Sequence, residues 1–163
     1  TLRFVLEKNG FEVLEEEMVN RDTLSVIVRK KKKVDVSRIQ KSYDTIRKEV
    51  HEYIDRLHGE GKRIAVWGAS HQGFTLAATA ELTKDVEYII DSAPFKQGRY
   101  APASHIPIIS PDDAVADPVD AIIIIAPGYT KEIASIIRQR FGKETEIAVL
   151  MTNSLQRYDE MEA

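Results

Sequence analysis

A chain of 163 residues is long enough for one domain with its own core plus an attached fragment of another, and too short for two complete domains. Its composition, 43% hydrophobic and 30% charged with a net charge of −3, is ordinary for a soluble globular protein and lacks the basic excess of a general nucleic-acid binder. The absence of cysteine excludes disulfides, a thiol nucleophile and a thiolate metal site, and no apolar run approaches the ~20 residues that span a bilayer.

No signal-peptide pattern precedes the first charges, so no membrane association and a cytoplasmic location are expected. The chain opens on Thr1, with Leu2, Val5 and Leu6 already at helical spacing before Asn9-Gly10 stops the pattern; this reads as a cut end. Phe11–Leu14 and Leu24–Val28 are strand-like, separated by an Asn20-Arg21-Asp22 turn. The basic run Arg29–Lys33 reads as a solvated linker rather than a phosphate or membrane contact. From an N-cap at Asp35 or Ser37, the positions Ile39, Tyr43, Ile46, Val50, Tyr53 and Leu57 form one helical stripe that Gly59 and Gly61 end. At more than twenty residues this is a connector, its stripe lying on the following domain or bridging two domains. His51 and His58 sit on it without a further ligand at metal spacing, and read as surface or capping histidines.

The stretch Arg63-Ile64-Ala65-Val66-Trp67-Gly68-Ala69-Ser70-His71-Gln72-Gly73-Phe74-Thr75-Leu76 then reads as strand, tight turn and helix. Gly68 lets the backbone turn off the strand, Gly73 lets helix and strand approach, and the amides between them form a candidate anion site. The helix is expected to run through Glu81-Leu82, followed by a strand over Val86–Ile90 that ends on Asp91, about 20 residues past the turn, where a dinucleotide fold carries its ribose-binding acid. Residues 92–105 are expected to be irregular throughout. A short strand over Ile106–Ile109, a capped helix start at Ser110-Pro111-Asp112-Asp113, and a central strand over Asp120–Ala126 ending in Pro127-Gly128-Tyr129 come next. Thr130 is the expected cap of a helix carrying Ile133, Ile136 and Ile137, and Glu146–Met151 the expected last strand. The alternation predicts an α/β, Rossmann-like three-layer sandwich with a five-stranded, mostly parallel sheet ordered 3-2-1-4-5, preceded by a long helix and a short helix-hairpin remnant. That order places Gly68–Gly73, Asp91 and Pro127–Tyr129 around one crevice.

The candidate substrate- or nucleotide-binding residues follow from that placement. Ser70, His71 and Gln72, between Gly68 and Gly73, offer a hydroxyl, an imidazole and amides to a diphosphate; equally, Ser70 caps the helix while the other two are solvated. Asp91 reads as an acceptor for a ribose hydroxyl or as the cap of the following loop. Lys96, Arg99 and Tyr100 suit phosphate pairing and stacking, or else Tyr100 pins the loop to the sheet edge while the cations face water. Tyr129 stacks on a ligand or covers its strand's end. No constellation supports a catalytic residue or a metal site.

The combination of the GA-x-x-x-G-x-T-L turn, the I-D-x-x-P-x-K-Q-G-R-Y-x-P-x-x-H-I-P-I stretch, SPDD and the apolar strand before APGY resembles the C-terminal domain of the S-adenosylmethionine-dependent sugar C-methyltransferase family, from about Gly61 to Val149. The helix and hairpin of residues 1–29 resemble the closing segment of a class I methyltransferase domain. The sequence departs from the family pattern at Gln72, commonly lysine, at Phe74, commonly asparagine, and at Ala103, commonly glycine. Losing that lysine removes a positive charge from the turn. The resemblance implies a parent enzyme that transfers a methyl group from S-adenosylmethionine to a carbon of a nucleotide-linked sugar. Its zinc site, methyl-donor motif and catalytic base would lie upstream of residue 1, so this chain is expected to hold no cofactor and not to catalyse alone. It also implies three parts: residues 1–33 as the end of a methyltransferase domain with a basic linker, 34–60 as a connector helix, and 61–163 as a Rossmann-like C-terminal domain. The expected partners are the upstream domain and a nucleotide-diphosphate sugar, which this domain helps to hold, or it braces the catalytic domain. The alternatives are a free-standing NAD- or CoA-type nucleotide-binding module and a structural interaction domain.

Overall fold

Runs of isoleucine, valine and alanine decide where the core lies. Ile64-Ala65-Val66-Trp67 and Ala121-Ile122-Ile123-Ile124 are buried at every position, as strands covered on both faces must be. The computed structural model describes residues 1–32 and 35–161, which fall into two units, Thr1–Arg38 and Ile39–Ala163.

In the first unit, helix α1 (Leu2–Lys8) gives way at Gly10, whose φ of +84° suits glycine, to the antiparallel strands β1 (Phe11–Met18) and β2 (Leu24–Lys30). Val13 faces Val28 and Met18 faces Leu24, with a register irregularity between Val13 and Glu15. Both strands outrun the expected segments. Lys33 and Val34 lie outside the described residues, and with them the end of the basic run and the boundary expected between residues 33 and 34.

Helix α2 (Ser37–Gly59) starts where the Asp35 carboxylate accepts the Ser37 amide at 2.9 Å, a bond that holds that carboxyl below its ordinary range. Within the second unit its Val50, Tyr53, Ile54 and Leu57 are buried. Ile39, expected at the head of the stripe, is instead 72% exposed. The chain continues through β3 (Ile64–Trp67), α3 (His71–Thr79), a 3₁₀ turn (Leu82–Lys84), β4 (Ile89–Ile90), β5 (Arg99–Tyr100), β6 (Pro107–Ile109), α4 (Pro111–Ala116), β7 (Ala121–Ile124), α5 (Thr130–Arg140), β8 (Glu146–Leu150), β9 (Leu155–Arg157) and α6 (Tyr158–Met161).

The sheet has seven strands in the order β5-β6-β4-β3-β7-β8-β9, where five were expected. The inner pairings are parallel, while β5 on β6 and β9 on β8 are antiparallel. The two additional strands are edges of two and three residues, too short to leave an alternating signature in the sequence. One of them falls inside residues 92–105, expected to be wholly irregular; Gly98, at φ +72°, turns the chain so that its amide reaches the Ile108 carbonyl and β5 pairs back. Several boundaries also differ: the strand expected over Val86–Ile90 is confined to Ile89–Ile90, and the one expected over Asp120–Ala126 to Ala121–Ile124. Helix α3 stops before Glu81, which takes a left-handed φ of +57°, and Thr130 is the first residue of α5 rather than its cap, which is Tyr129. Ser110 and Pro111 do start α4 through a capping box, Ser110 Oγ accepting the Asp113 amide.

Alternation along β3 divides the core between the faces of the sheet. Ile64 and Val66 pack with Ile54, Leu57 and Leu76 from α2 and α3, and Ala65 and Trp67 pack with Ala114, Ile133 and Ile137 from α4 and α5. Each buried isoleucine or leucine contributes roughly 2 kcal/mol. The result is an α/β unit with a mostly parallel sheet flanked by helices. Ala103 holds φ at +63°, a left-handed conformation that costs an alanine about 1 kcal/mol.

Candidate functional site

The turn after β3 is built by two contacts that only glycine allows. A Cβ on Gly73 would lie 2.1 Å from the Gly68 carbonyl oxygen, and one on Gly68, itself at φ +124°, would lie 2.6 Å from the Ile125 carbonyl oxygen. The start of α3 is thereby pressed onto the turn, and the turn onto the end of β7. Ser70 is the helix cap, its Oγ accepting the Gly73 amide at 3.2 Å.

Asp91, one residue past β4, ties this turn to the next loop. Its Oδ2 accepts the Ala69 amide at 2.9 Å and the Lys96 ammonium at 3.0 Å, its Oδ1 accepts the Ala93 amide at 2.9 Å, and its carbonyl accepts from Gln97 Nε2 at 3.0 Å. The acid therefore caps its own loop and takes up one of the turn amides. The side chain is 12% exposed.

A crevice of about 530 Å³ opens at the C-terminal ends of β3, β4 and β7. Gly68, Ser70, Gln72, Asp91 and Tyr129 line it together, as the crossover order required. Gly73 lies behind the turn as a packing contact. His71 is exposed and turns to a neighbouring hollow of about 390 Å³ with Tyr43 and Arg47. Arg99 and Tyr100 do not line the crevice. The β5–β6 pairing carries them to the sheet edge, where Arg99 Nε donates to the Phe95 carbonyl at 2.8 Å, and Tyr100, 67% exposed, pins nothing. With Phe74, Phe95 and Lys96 they line a shallow groove of about 390 Å³. His51 Nε2 meets the Ala80 carbonyl oxygen at 2.8 Å, His58 is exposed, and no group of three metal-ligating side chains converges among the described residues.

Sequence reasoning missed Trp67, Ser92, Glu132 and Ile136 on the crevice wall. Glu132 was within reach of it: once Ile133 and Ile137 are assigned to the core, their neighbour in the first turn of α5 stands at the strand ends.

The opposite ends of the strands are occupied by paired charge. Before β3, Arg63 binds both carboxylate oxygens of Asp117 at 2.8 and 3.0 Å, and its amide donates to Asp120 Oδ2 at 2.8 Å. The guanidinium holds the Asp117 carboxyl below its usual range, and the carboxylate raises Arg63 in turn. Tyr88 donates its hydroxyl to the Asp117 carbonyl at 2.6 Å, and burial pushes its phenol up to about 12. At the start of β8, Glu146 pairs with Arg56, with Arg157 at 3.6 Å and with Lys62 at 3.9 Å.

Residues 22–151 match the family described as the C-methyltransferase C-terminal domain, a span that contains every residue of the crevice. Over 91 residues the chain is 31% identical to the C-methyltransferase NovU of Streptomyces niveus, covering 55% of this chain and 22% of that protein. The matched segment thus spans about a fifth of its relative's length. On the extent of the family match, this chain belongs to the C-methyltransferase C-terminal domain family.

Proposed function

We propose that this chain is the substrate-holding domain of an S-adenosylmethionine-dependent C-methyltransferase, and that its crevice receives part of a nucleotide-linked sugar while an upstream domain carries out the transfer. The observation that carries the reading is the crevice itself: the topological switch point of a parallel sheet, walled by Trp67 and Ile125 and set with the polar side chains of Gln72, Asp91, Tyr129 and Glu132. The relative's name supports a methyl transfer to carbon, and its greater length leaves room for the transferring domain. In this reading residues 1–33 close the methyltransferase domain, 34–60 connect, and 61–163 form the substrate domain. The parent works in the cytoplasm; among the described residues no helix is long and apolar enough to cross a membrane.

Zinc does not fit the described residues, which bring no three ligands together. The methyl donor is assigned to the upstream domain, for which the relative's greater length leaves room. Neither group is assigned a step in this chain.

The test is thermal unfolding of the chain with nucleoside-diphosphate sugars and with S-adenosylmethionine. A ligand bound only by the folded state stabilises by about 2.7 kcal/mol at a hundredfold excess over its Kd. A raised midpoint with a nucleotide sugar and none with S-adenosylmethionine is expected. A rise with S-adenosylmethionine alone contradicts the reading.

A further inference from the structure

We propose that the crevice takes the neutral, hydroxyl-bearing ring of its ligand, a nucleoside or glycosyl group, and turns a diphosphate away, with Glu132 setting that preference; this rests on the substrate-holding reading above. Three groups that would otherwise greet a phosphate at this turn are committed inside the protein. The Ala69 amide is bonded to Asp91 Oδ2, the Gly73 amide to Ser70 Oγ, and the Lys96 ammonium to the same Asp91 carboxylate. Lys96 itself lines the edge groove and not the crevice.

The charge that does line the crevice is negative. Its wall contains Asp91 and Glu132 and no lysine, arginine or histidine. Asp91 is offset by Lys96 at 3.0 Å, whereas Glu132 has no hydrogen bond or ion pair among the described residues. A diphosphate would have to lie beside an uncompensated carboxylate at the mouth of a largely apolar wall, with like charges facing each other. Ring hydroxyls meet the opposite situation. A carboxylate accepts strongly from a hydroxyl, the Gln72 amide both donates and accepts, and Tyr129, 65% exposed at the rim, presents an aromatic face for a base or for the apolar side of a sugar. The diphosphate of a nucleotide sugar then lies outside the crevice.

The test is calorimetric titration of the chain with thymidine, guanosine, cytidine, their 5′-diphosphates and methyl α-D-glucopyranoside. At least one nucleoside or the glucoside should bind ten times or more tighter than any diphosphate; which one binds tells a base-end site from a sugar-end site. Glu132→Lys, at an exposed position, should reverse the order, and Tyr129→Ala should abolish binding of the neutral ligand. A diphosphate that outranks its own nucleoside, or an order unchanged in Glu132→Lys, overturns this inference and leaves the substrate-holding reading in place. If no ligand in the panel binds, that reading falls and this inference with it.

Discussion

The two ends of the central sheet are built on opposite terms. Where the strands begin, Arg63, Asp117 and Asp120 on one side and Glu146 with Arg56, Arg157 and Lys62 on the other satisfy one another. Where they end, Asp91 alone is fully engaged, and Gln72, Tyr129 and Glu132 stand around an open crevice. Charge that is paired inside the molecule serves stability, and polar groups left open to a concave apolar wall are available to a ligand. The difference teaches where to look for function: substitutions at the starts of the strands should cost stability and spare binding, and those around the crevice should do the reverse.

The sharpest way to break this division is at the turn that belongs to both. Gly73→Ala puts a methyl group where only 2.1 Å separates it from the Gly68 carbonyl oxygen, so α3 must lift off the turn. A loss of about 3 kcal/mol or more in chemical denaturation is expected, together with loss of ligand binding. Glu146→Ala should cost about 1 kcal/mol, because it removes a carboxylate shared by three partly exposed cations that keep Glu60 and Glu160 as partners, and it should leave binding at the other end unchanged.

Tyr88 adds a pH dependence to the same end. Its folded phenol titrates near 12 against an ordinary 10.0, so the fold prefers the protonated form. That contribution is whole below pH 10 and is lost as pH rises from 10 towards 12. Burial raises Tyr53 as well, which acts in the same direction. Denaturation midpoints followed upward from pH 8 should fall above pH 10. Tyr88→Phe should cost about 1 kcal/mol at neutral pH and weaken the alkaline fall. The smallest stability effect belongs to the crevice: Tyr129→Ala should change stability by less than about 0.5 kcal/mol while ligand binding disappears.

Much of this was legible in the residues themselves. The all-apolar run Ala121–Ile124 announced a central strand, two glycines five residues apart announced the turn, and Asp91 and Tyr129 fell at strand ends that topology brings together. What remained illegible depended on pairing rather than pattern. Strands β5 and β9 are defined by their neighbours' hydrogen bonds and carry no periodicity of their own. Lys96 and Arg99 looked like equal cations in one loop, yet Gly98 between them turns the chain, leaving Lys96 on Asp91 and sending Arg99 to the sheet edge. The exposure of Ile39 could not be read either, because a helical stripe says which residues share a face and not how far along the helix the core extends.

The most direct test of the account maps where a ligand sits. Amide resonances of the isotope-labelled chain should be followed by NMR while a nucleoside-diphosphate sugar is added. The account predicts shifts concentrated at Trp67, Gln72, Asp91 to Ala93, and Tyr129 to Glu132. Shifts confined to Phe95, Arg99 and Tyr100, along the edge groove, would contradict it.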